Sequence, residues 1–412
     1  MAIRPAEPAA PPGVLYLSYD GMLEPLGQSQ VLAYLERLAS DRRIHLVSFE
    51  KPADLADSAA QARVAQRIAA AGIHWHPLTY HKRPSALATA WDILAGLVTG
   101  SALAWRHRLR IVHARSYVAS VMALGIKRLT GARFVFDMRG FWADERVDGG
   151  IWPAGSRLFR VAKGFERRFL LATDHGVSLT QAAVGEIARF DYLAGGRMPP
   201  FTVIPTCADL ARFTPPVPAP ARDGGFVLGY VGSAGTWYLF DAVAAAFARL
   251  LALRPAARLL VINRGEHAHI RQALDAAGVP ASAVELRSAN HAEVPAQMAR
   301  MDAGIFFIRP VFSKQASAPT KLGEFLGCGI PCLANAGVGD MAGILQDERV
   351  GIAVRSFDAA ALDQGLRELL ALCADPQAAA RCTAAAKRHF SLDEGVRRYR
   401  AVYAALADGA AR

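Results

Sequence analysis

The residues best suited to chemistry lie in one stretch of the second half of the chain, residues 318–331, which read APTKLGEFLGCGIP. Residues 320–326 have the pattern of a short helix, with Ser317 or Thr320 predicted to cap its start and glycines near its end. An apolar, strand-like run at residues 304–308 precedes this helix. In an α/β domain, the start of a helix that follows a strand is a common place for an anion to bind.

Two side chains of this predicted helix have the types and the spacing of a nucleotide site. Lys321 lies in the first turn, where the helix dipole disfavours a cation, which indicates that an anion binds between the two. Glu324 follows about one turn later on the same face and can accept hydrogen bonds from the hydroxyls of a ribose. The alternative is an ordinary capped helix that carries a surface lysine and a surface glutamate.

The same stretch resembles the nucleotide-sugar signature of glycosyltransferase family 4, whose retaining enzymes have two facing Rossmann-like domains, the GT-B fold. Glu324 matches the second of the family's two glutamates, and residues 327–331 (GCGIP) match the turn that follows it. The first glutamate would fall at Ala316 and is missing, as in a branch with Ser-x-Pro-Thr-Lys before the helix. The resemblance implies that Glu324 holds the donor ribose and that this chain lacks the first glutamate's contact with the donor sugar.

A glycine-containing turn is the second candidate for binding the donor phosphates. It spans residues 232–238 (GSAGTWY), between a predicted strand at 226–231 and a predicted helix at 241–253. Backbone amides and hydroxyls in such a turn suit a diphosphate. The family usually has an Arg and a Lys here; both are absent, so Lys321 is predicted to supply the charge.

A third segment of the second half completes the predicted donor site. The strand predicted at residues 258–262 ends at Asn263 and Arg264, which we expect to contact the base or a phosphate. The full set of predicted donor-binding residues is Gly232, Ser233, Gly235, Thr236, Asn263, Arg264, Ser317, Thr320, Lys321 and Glu324.

In the first half, a predicted strand at residues 132–137 ends in Asp137, followed by Arg139. The carboxyl ends of parallel strands form the ligand-binding edge of an open α/β sheet. The segment also resembles branches of the family that have Asp-x-Arg here, and the resemblance implies that Asp137 steers the acceptor hydroxyl. We expect Arg139 to bind phosphate or to pair with Asp144 or Glu145. With Lys321 they form the predicted catalytic set. An internal Asp–Arg salt bridge that only orders the loop is the alternative.

Two further segments are predicted to face the acceptor side of the cleft. The loop after the first predicted strand, residues 13–19, leads to a helix at 31–39 and contributes three residues, Gly27, Gln28 and Ser29. The strand at residues 110–114 contributes His113 and Arg115 near its carboxyl end. A structural role for His113 remains open.

The length of 412 residues and the hydrophobic content of 52% suit two α/β domains with large cores. We predict an acceptor-binding Rossmann-like domain (residues 1–215), a Pro- and Gly-rich linker (216–225) and a nucleotide-sugar-binding Rossmann-like domain (226–389). The resemblance implies that a last helix, within residues 390–412, crosses back and packs on the first domain.

Charge is concentrated in the first half of the chain. The formal net charge is +11, and the first 215 residues carry 26 Lys and Arg against 18 Asp and Glu. Residues 155–172 have the pattern of a helix that is apolar on one face and rich in cations. This pattern predicts peripheral contact with an anionic membrane. The alternative is a solvated helix on the surface of the domain. Residues 86–105 are predicted to form a buried helix, because Asp92 and two glycines interrupt an otherwise apolar run.

Together with these observations, the resemblance implies an enzyme that moves a sugar from a nucleotide diphosphate sugar to a glycan or lipid-linked acceptor. The resemblance implies retention of configuration and a role in bacterial polysaccharide or cell-envelope glycan synthesis. The five cysteines include no CxxC pair, which fits the reducing cytoplasm. The sequence has no Asp-x-Asp motif, so we expect no metal cofactor. It also has no nucleic-acid-binding motif, so we expect no nucleic acid as a partner. The alternatives are a nucleotide-sugar epimerase and a catalytically silent nucleotide-sugar-binding subunit.

Overall fold

The computed structural model describes residues 13–216, 225–290 and 293–408. The first domain is built on a seven-stranded sheet in the order β3-β2-β1-β4-β5-β6-β7, and all its neighbouring strands are parallel. Its strands are β1 (Val14–Ser18), β2 (Ile44–Glu50), β3 (His74–Thr79), β4 (Ile111–Arg115), β5 (Arg133–Asp137), β6 (His175–Ser178) and β7 (Phe201–Val203).

The second domain repeats this plan with six parallel strands in the order β10-β9-β8-β11-β12-β13. Its strands are β8 (Val227–Val231), β9 (Arg258–Ile262), β10 (Val284–Arg287), β11 (Ala303–Ile305), β12 (Cys332–Asn335) and β13 (Gly351–Val354). In both sheets the strand order reverses beside the first strand, which opens a crevice at the carboxyl edge. Two parallel-sheet α/β domains confirm the predicted fold class.

Helices cover both faces of each sheet. Those of the first domain are α1 (Pro25–Gly27), a π-helical turn (Gln28–Leu32), α2 (Ala33–Leu38), α3 (Pro52–Leu55), α4 (Ser58–Ala70), α5 (Ser85–His107), α6 (Ser116–Thr130), α7 (Trp142–Asp148), α8 (Arg157–Ala172) and α9 (Gln181–Ala188). Those that follow are α10 (Phe240–Leu253), α11 (His267–Ala276), α12 (Val294–Met298), α13 (Thr320–Gly327), α14 (Met341–Asp347), α15 (Ala359–Cys373), α16 (Ala378–Phe390) and α17 (Leu392–Asp408). Short 3₁₀ turns occupy Asp191–Leu193, Ala281–Ala283 and Phe312–Ala316.

The last helix belongs to the first domain, as predicted. A backbone bridge pairs Ser391 with Ala208, and α17 then packs Val396, Tyr399 and Tyr403 into the core beside β1. This position lets α17 contribute side chains to the edge of the first sheet. Residues 217–224 of the predicted linker lie outside the described residues.

Two helices have apolar side chains that are more exposed than the sequence predicts. The outer side of α5 is exposed, with Trp91 and Trp105 each about 60% accessible, so the prediction of a buried helix was wrong. In α8, Ala162 and Phe169 of the apolar spacing are buried together with Glu166, while Leu158 and Val161 of the same spacing are exposed. A buried ion pair explains the difference in α8: Lys163 binds Glu166 (Nζ–Oε1, 2.5 Å), which allows a carboxylate to face inward.

Candidate functional site

Helix α13 begins without a side-chain cap. Its N-cap residue is Pro319, and no side chain accepts a hydrogen bond from its first amides. The prediction that Ser317 or Thr320 caps the helix was wrong: Thr320 is the first helical residue, and Ser317 precedes the N-cap by two positions. An uncapped start leaves backbone amides that an anion can bind.

Lys321, in the first turn of α13, is buried against three aromatic rings. Its Nζ lies 3.5 Å from the centre of the Tyr238 ring, 5.0 Å from that of Tyr230 and 5.5 Å from that of Phe306. The residue is only 8% exposed, and Nζ has no hydrogen-bond partner among the described residues. Burial lowers the pKa of this ammonium group, although Glu324 and Glu266 oppose the shift. An ammonium group in this state is costly unless an anion joins it.

Glu324 lies one turn after Lys321 and is half-buried. Burial raises the pKa of its carboxyl group, and the cations Lys321 and Arg212 oppose that shift. The same carboxyl group acts on Tyr238, whose pKa is raised mainly by burial and further by Glu324. Lys321 and Tyr238 therefore both feel the charge of Glu324, and the helical spacing had predicted only that Lys321 and Glu324 share a face.

The turn after β8 allows Lys321 to approach it. Gly232 has φ = 100°, and a Cβ atom there would lie 3.3 Å from Lys321 Nζ, so a larger residue would crowd the ammonium group. Ser233 and Thr236 are exposed on the same turn, where Tyr230 donates its hydroxyl proton to the Ser233 carbonyl. The structure thus brings the predicted glycine turn and Lys321 together.

A carboxylate accepts hydrogen bonds from two backbone amides of that turn. Glu266 accepts hydrogen bonds from the backbone N–H groups of Ala234 (to Oε2, 2.8 Å) and Gly235 (to Oε1, 2.8 Å). Burial alone would raise the pKa of Glu266, but these amides and Asn263 lower it. Sequence reasoning missed Glu266, although its position shortly after β9 was a usable signal.

Asn263 is buried and holds this arrangement in place. Its Nδ2 donates to Glu266 Oε2 (2.9 Å) and to the Gly232 carbonyl (3.0 Å), and its Oδ1 accepts from the Glu266 amide (2.7 Å). Arg264 is exposed and donates through Nε to the Ala289 carbonyl (3.1 Å). The side-chain amide of Asn263, which was predicted to contact the donor, therefore holds the turn and Glu266 in position.

Asp137 lies at the centre of a buried network in the first domain. Its Oδ2 accepts from the Tyr399 hydroxyl of α17 (2.8 Å) and lies 3.4 Å from His113 Nε2, while Oδ1 is 3.7 Å from Arg139 Nη1. Burial would raise the pKa of Asp137, but Arg139 and His113 outweigh it and lower the pKa to about 2. The Tyr403 hydroxyl bonds His113 Nδ1 at 2.6 Å, so this network joins β4 and β5 to α17.

These contacts favour the internal salt bridge that was the alternative for Asp137 and Arg139. Asp137 has no exposed surface, and Arg139, at φ = 56°, turns back toward it. The partners predicted for Arg139 are engaged elsewhere: Asp144 binds Lys163 (2.9 Å), and Glu145 binds Lys314 (2.5 Å).

The acceptor-side loop is helical from Pro25 onward, unlike the loop predicted there. Gln28 donates to the Leu23 carbonyl (3.3 Å), and Ser29 donates to the Pro25 carbonyl (2.9 Å). A Cβ atom at Gly27 would lie 1.9 Å from the Gly21 carbonyl oxygen, so this glycine serves a close approach within the chain.

Arg115 sits at the carboxyl edge of the first sheet, at the end of β4. Its side chain is almost fully buried, and its Nε lies 3.2 Å from Oδ2 of the partly exposed Asp20. Arg115, which was predicted for the acceptor side, therefore forms an ion pair with a carboxylate that is accessible to solvent.

The two domains touch across the cleft between α7 and the 3₁₀ turn Phe312–Ala316. Lys314 Nζ lies 2.5 Å from Glu145 Oε1 and 3.7 Å from the centre of the Trp237 ring. The Ser313 amide donates to Asp148 Oδ2 (2.9 Å). Ala316, where the family's first glutamate would fall, packs into the first domain's core. This segment therefore contacts the first domain directly.

No group of three or more His, Cys, Asp and Glu side chains within the described ranges has an arrangement that could hold a metal ion. Cys328 and Cys332 are buried in the core of the second domain.

Comparison with protein families identifies a match in the second half of the chain. Residues 225–372 match the family described as glycosyl transferases group 1, a range that includes the turn after β8, Lys321 and Glu324. No curated protein sequence matches the chain.

Solved structures resemble nearly the whole chain. A sucrose-phosphate synthase from Thermosynechococcus elongatus is 13% identical with a TM-score of 0.71, covering 96% of this chain and 100% of its own. A glycosyltransferase from Rickettsia africae is 11% identical (TM-score 0.71; 96% and 98% covered). HepE of Anabaena, solved in complex with UDP-glucose, is 16% identical (TM-score 0.64; 95% and 99% covered).

At these identities the likeness establishes the fold, which is the GT-B arrangement of two α/β domains. The group 1 domain and the glycosyltransferases among the structural neighbours support a glycosyltransferase.

Proposed function

We propose that this enzyme transfers a sugar from a nucleotide diphosphate sugar to a glycan or lipid-linked acceptor. The observation that carries the proposal is the buried Lys321 ammonium group, which lies beside Gly232 and Glu324 without a hydrogen-bond partner among the described residues. A diphosphate would supply the missing anion, and Glu324 would accept from the ribose. The Anabaena structure contains UDP-glucose, which makes UDP-glucose the first donor to test.

The reaction breaks the bond between the anomeric carbon and the diphosphate oxygen, so negative charge develops on the leaving nucleoside diphosphate. In this proposal, Lys321 and the uncapped amides of α13 would stabilise that charge. Loss of one preorganised donor of this kind typically costs about 3 kcal/mol of transition-state stabilisation. Anion binding would also raise the pKa of Lys321 again, so that donor binding takes up a proton.

Glu266 limits where the phosphates can bind. Because it accepts the hydrogen bonds of the Ala234 and Gly235 amides, a diphosphate would repel it there. We infer that the diphosphate binds between Lys321 and the start of α13, and that Glu266 shapes the turn that lies opposite.

The acceptor, the stereochemistry and the location are further parts of the proposal. Excess positive charge in the first domain supports an acceptor that carries phosphate or is linked to lipid. We propose retention, a place in bacterial polysaccharide or cell-envelope glycan synthesis, and a cytoplasmic protein with peripheral contact to the inner face of the membrane. No metal is needed for this scheme.

A silent nucleotide-sugar-binding subunit is the second candidate. It is favoured by Ala316, which places a buried methyl group where the family has a glutamate, and by the buried position of Asp137. Incubation with UDP-glucose and candidate acceptors separates the two functions. Release of UDP that depends on the acceptor supports the transferase. Binding of UDP-glucose without any release supports the subunit.

A further inference from the structure

Helix α5 turns an apolar face to the outside of the first domain. Between residues 86 and 105, the exposed residues of this helix are all apolar: Ala86, Leu87, Ala90, Trp91, Leu94, Val98, Ala102 and Trp105. Leu87, Trp91, Leu94, Val98 and Trp105 are between 50% and 72% exposed. Their spacing of three or four residues, with one longer step before Trp105, places them along one side of the helix.

The opposite side of α5 is fixed to the domain, so the apolar face cannot turn inward. Asp92 is fully buried and accepts hydrogen bonds from the Tyr19 hydroxyl (2.8 Å) and the His81 amide (3.1 Å). A Cβ atom at Gly96 would lie 2.5 Å from Met122 Sδ, and one at Gly100 would lie 2.6 Å from Ile126 Cδ1. The only acidic residue of the helix therefore points away from the exposed face.

Cations surround this face. Lys82 and Arg83 are exposed just before the helix, and Arg106, Arg108 and Arg110 are exposed at its end and just after it. Helix α6 packs between α5 and α8, so all three belong to one layer. The neighbours add further exposed residues of both kinds: Arg128, Leu129, Arg157, Leu158, Arg160 and Val161.

We propose that α5 docks on an anionic lipid surface, with its axis in the plane of the membrane and its apolar side chains inserted at the headgroup level. Tryptophan suits that boundary because it joins a large apolar ring to a polar N–H group. The cations at both ends of the helix would bind lipid phosphates. This inference rests on the proposed membrane contact and assigns it to α5 in place of α8 alone.

The charges argue against a second copy of the chain as the partner. Pairing two α5 faces in either direction would bring exposed arginines and lysines of one helix close to those of the other. By length and composition alone, the helix could also cross a membrane. Its buried side carries Asp92 and packs on α6, so an in-plane position keeps these contacts intact.

Docking through α5 would bring the catalytic cleft near the lipid. The helix starts shortly after the carboxyl end of β3, and Asp92 bonds Tyr19, which directly follows β1. The amino-terminal part of α5 therefore lies at the same sheet edge as the cleft. A lipid-linked acceptor could then enter from the membrane surface.

The test is co-sedimentation of the full chain with vesicles of phosphatidylglycerol and phosphatidylcholine, compared with phosphatidylcholine alone. We expect binding only to the anionic vesicles, and a double variant, Trp91→Ser with Val98→Asn, should lose binding by about tenfold or more. Arg157→Glu with Arg160→Glu tests α8, and we expect it to have a smaller effect. Nucleoside diphosphate affinity, measured on each variant, reports that the fold and the donor site are intact.

Three results would overturn the inference. The first is equal vesicle binding by the wild-type chain and the α5 double variant. The second is loss of binding only in the α8 variant. The third is a wild-type chain that is dimeric and does not bind vesicles, together with an α5 variant that is monomeric. That result would identify a second copy of the chain as the partner. Intact vesicle binding by a chain that fails to transfer sugar would instead reject the proposed function alone.

Discussion

Glu50 and Glu266 occupy equivalent places in the two domains. Glu50, the last residue of β2, accepts hydrogen bonds from the amides of Met22 (2.9 Å) and Leu23 (3.1 Å) in the loop after β1. Glu266, shortly after β9, binds the amides of Ala234 and Gly235 in the turn after β8 in the same way. In each sheet, the turn that leaves the first strand is thus held by a carboxylate from beside the neighbouring strand.

This equivalence predicts matched effects of two substitutions. Glu266→Gln would place an NH₂ group or a weaker acceptor against the two amides, which should lower the free energy of unfolding by about 1–3 kcal/mol. It should also weaken nucleoside diphosphate binding, because the turn faces Lys321. Glu50→Gln is the control: it should destabilise similarly and leave that affinity unchanged. Thermal unfolding and calorimetric titration measure both, and an effect of Glu50→Gln on affinity would contradict this assignment.

Lys321→Met should abolish diphosphate affinity and stabilise the protein. Burial lowers the pKa of Lys321 from 10.5 to about 7, so folding this lysine carries a cost that methionine avoids. That cost is fully present below pH about 7 and disappears as the pH rises to about 10.5, where the lysine is neutral in both states. Thermal midpoints at several pH values test this. The exposed Lys387→Met is the control, and a destabilised Lys321→Met would count against a costly buried charge.

Affinity for a nucleoside diphosphate should fall as the pH rises above 7. Binding requires the charged form of Lys321, whose pKa in the free protein is about 7. Above that value, each pH unit should weaken binding by up to about tenfold until the pKa of the bound form is reached. Titrations at pH 6 to 9 check this slope, and Lys321→Met should remove it. An affinity independent of pH over this range would place the diphosphate elsewhere.

Glu324→Ala should weaken nucleoside diphosphate binding and leave the fold intact. Loss of a hydrogen bond to a charged group should cost about 1.5–3 kcal/mol of binding free energy. Titration with the nucleoside diphosphate and with inorganic pyrophosphate separates the contributions, because only the former carries a ribose. Equal losses for both ligands would show that Glu324 acts on Lys321 and not on the ribose.

Asp137→Asn should destabilise the first domain. Removing one member of a buried ion pair typically costs about 3–5 kcal/mol, because Arg139 would lose its counter-charge. The pKa of Asp137, about 2, lies below its ordinary value of 3.8, so its stabilising effect is present above pH 3.8 and is lost as the pH falls through 2. Unfolding at neutral and acid pH tests this, with Tyr399→Phe as a milder variant. Lost turnover with normal stability would instead support contact with the acceptor.

The sequence by itself determined the α/β fold class and the placement of Lys321 and Glu324 on one helix face. Apolar, strand-like runs predicted strands in both domains, and the strand predicted at residues 258–262 has those bounds in the structure. Lys321 and Glu324 were found together because helical spacing alone brings residues three apart onto one face. Local rules of this kind need no knowledge of distant segments.

Only the tertiary structure decided which polar groups meet over long distances. Tyr399 lies 262 residues from Asp137, and no local pattern indicates that its hydroxyl would fill the space assigned to an acceptor. The direction in which α5 faces was equally hidden, because its composition suits a buried helix or a helix that covers an apolar surface. Burial depends on which elements pack nearby, and that is a property of the assembled fold.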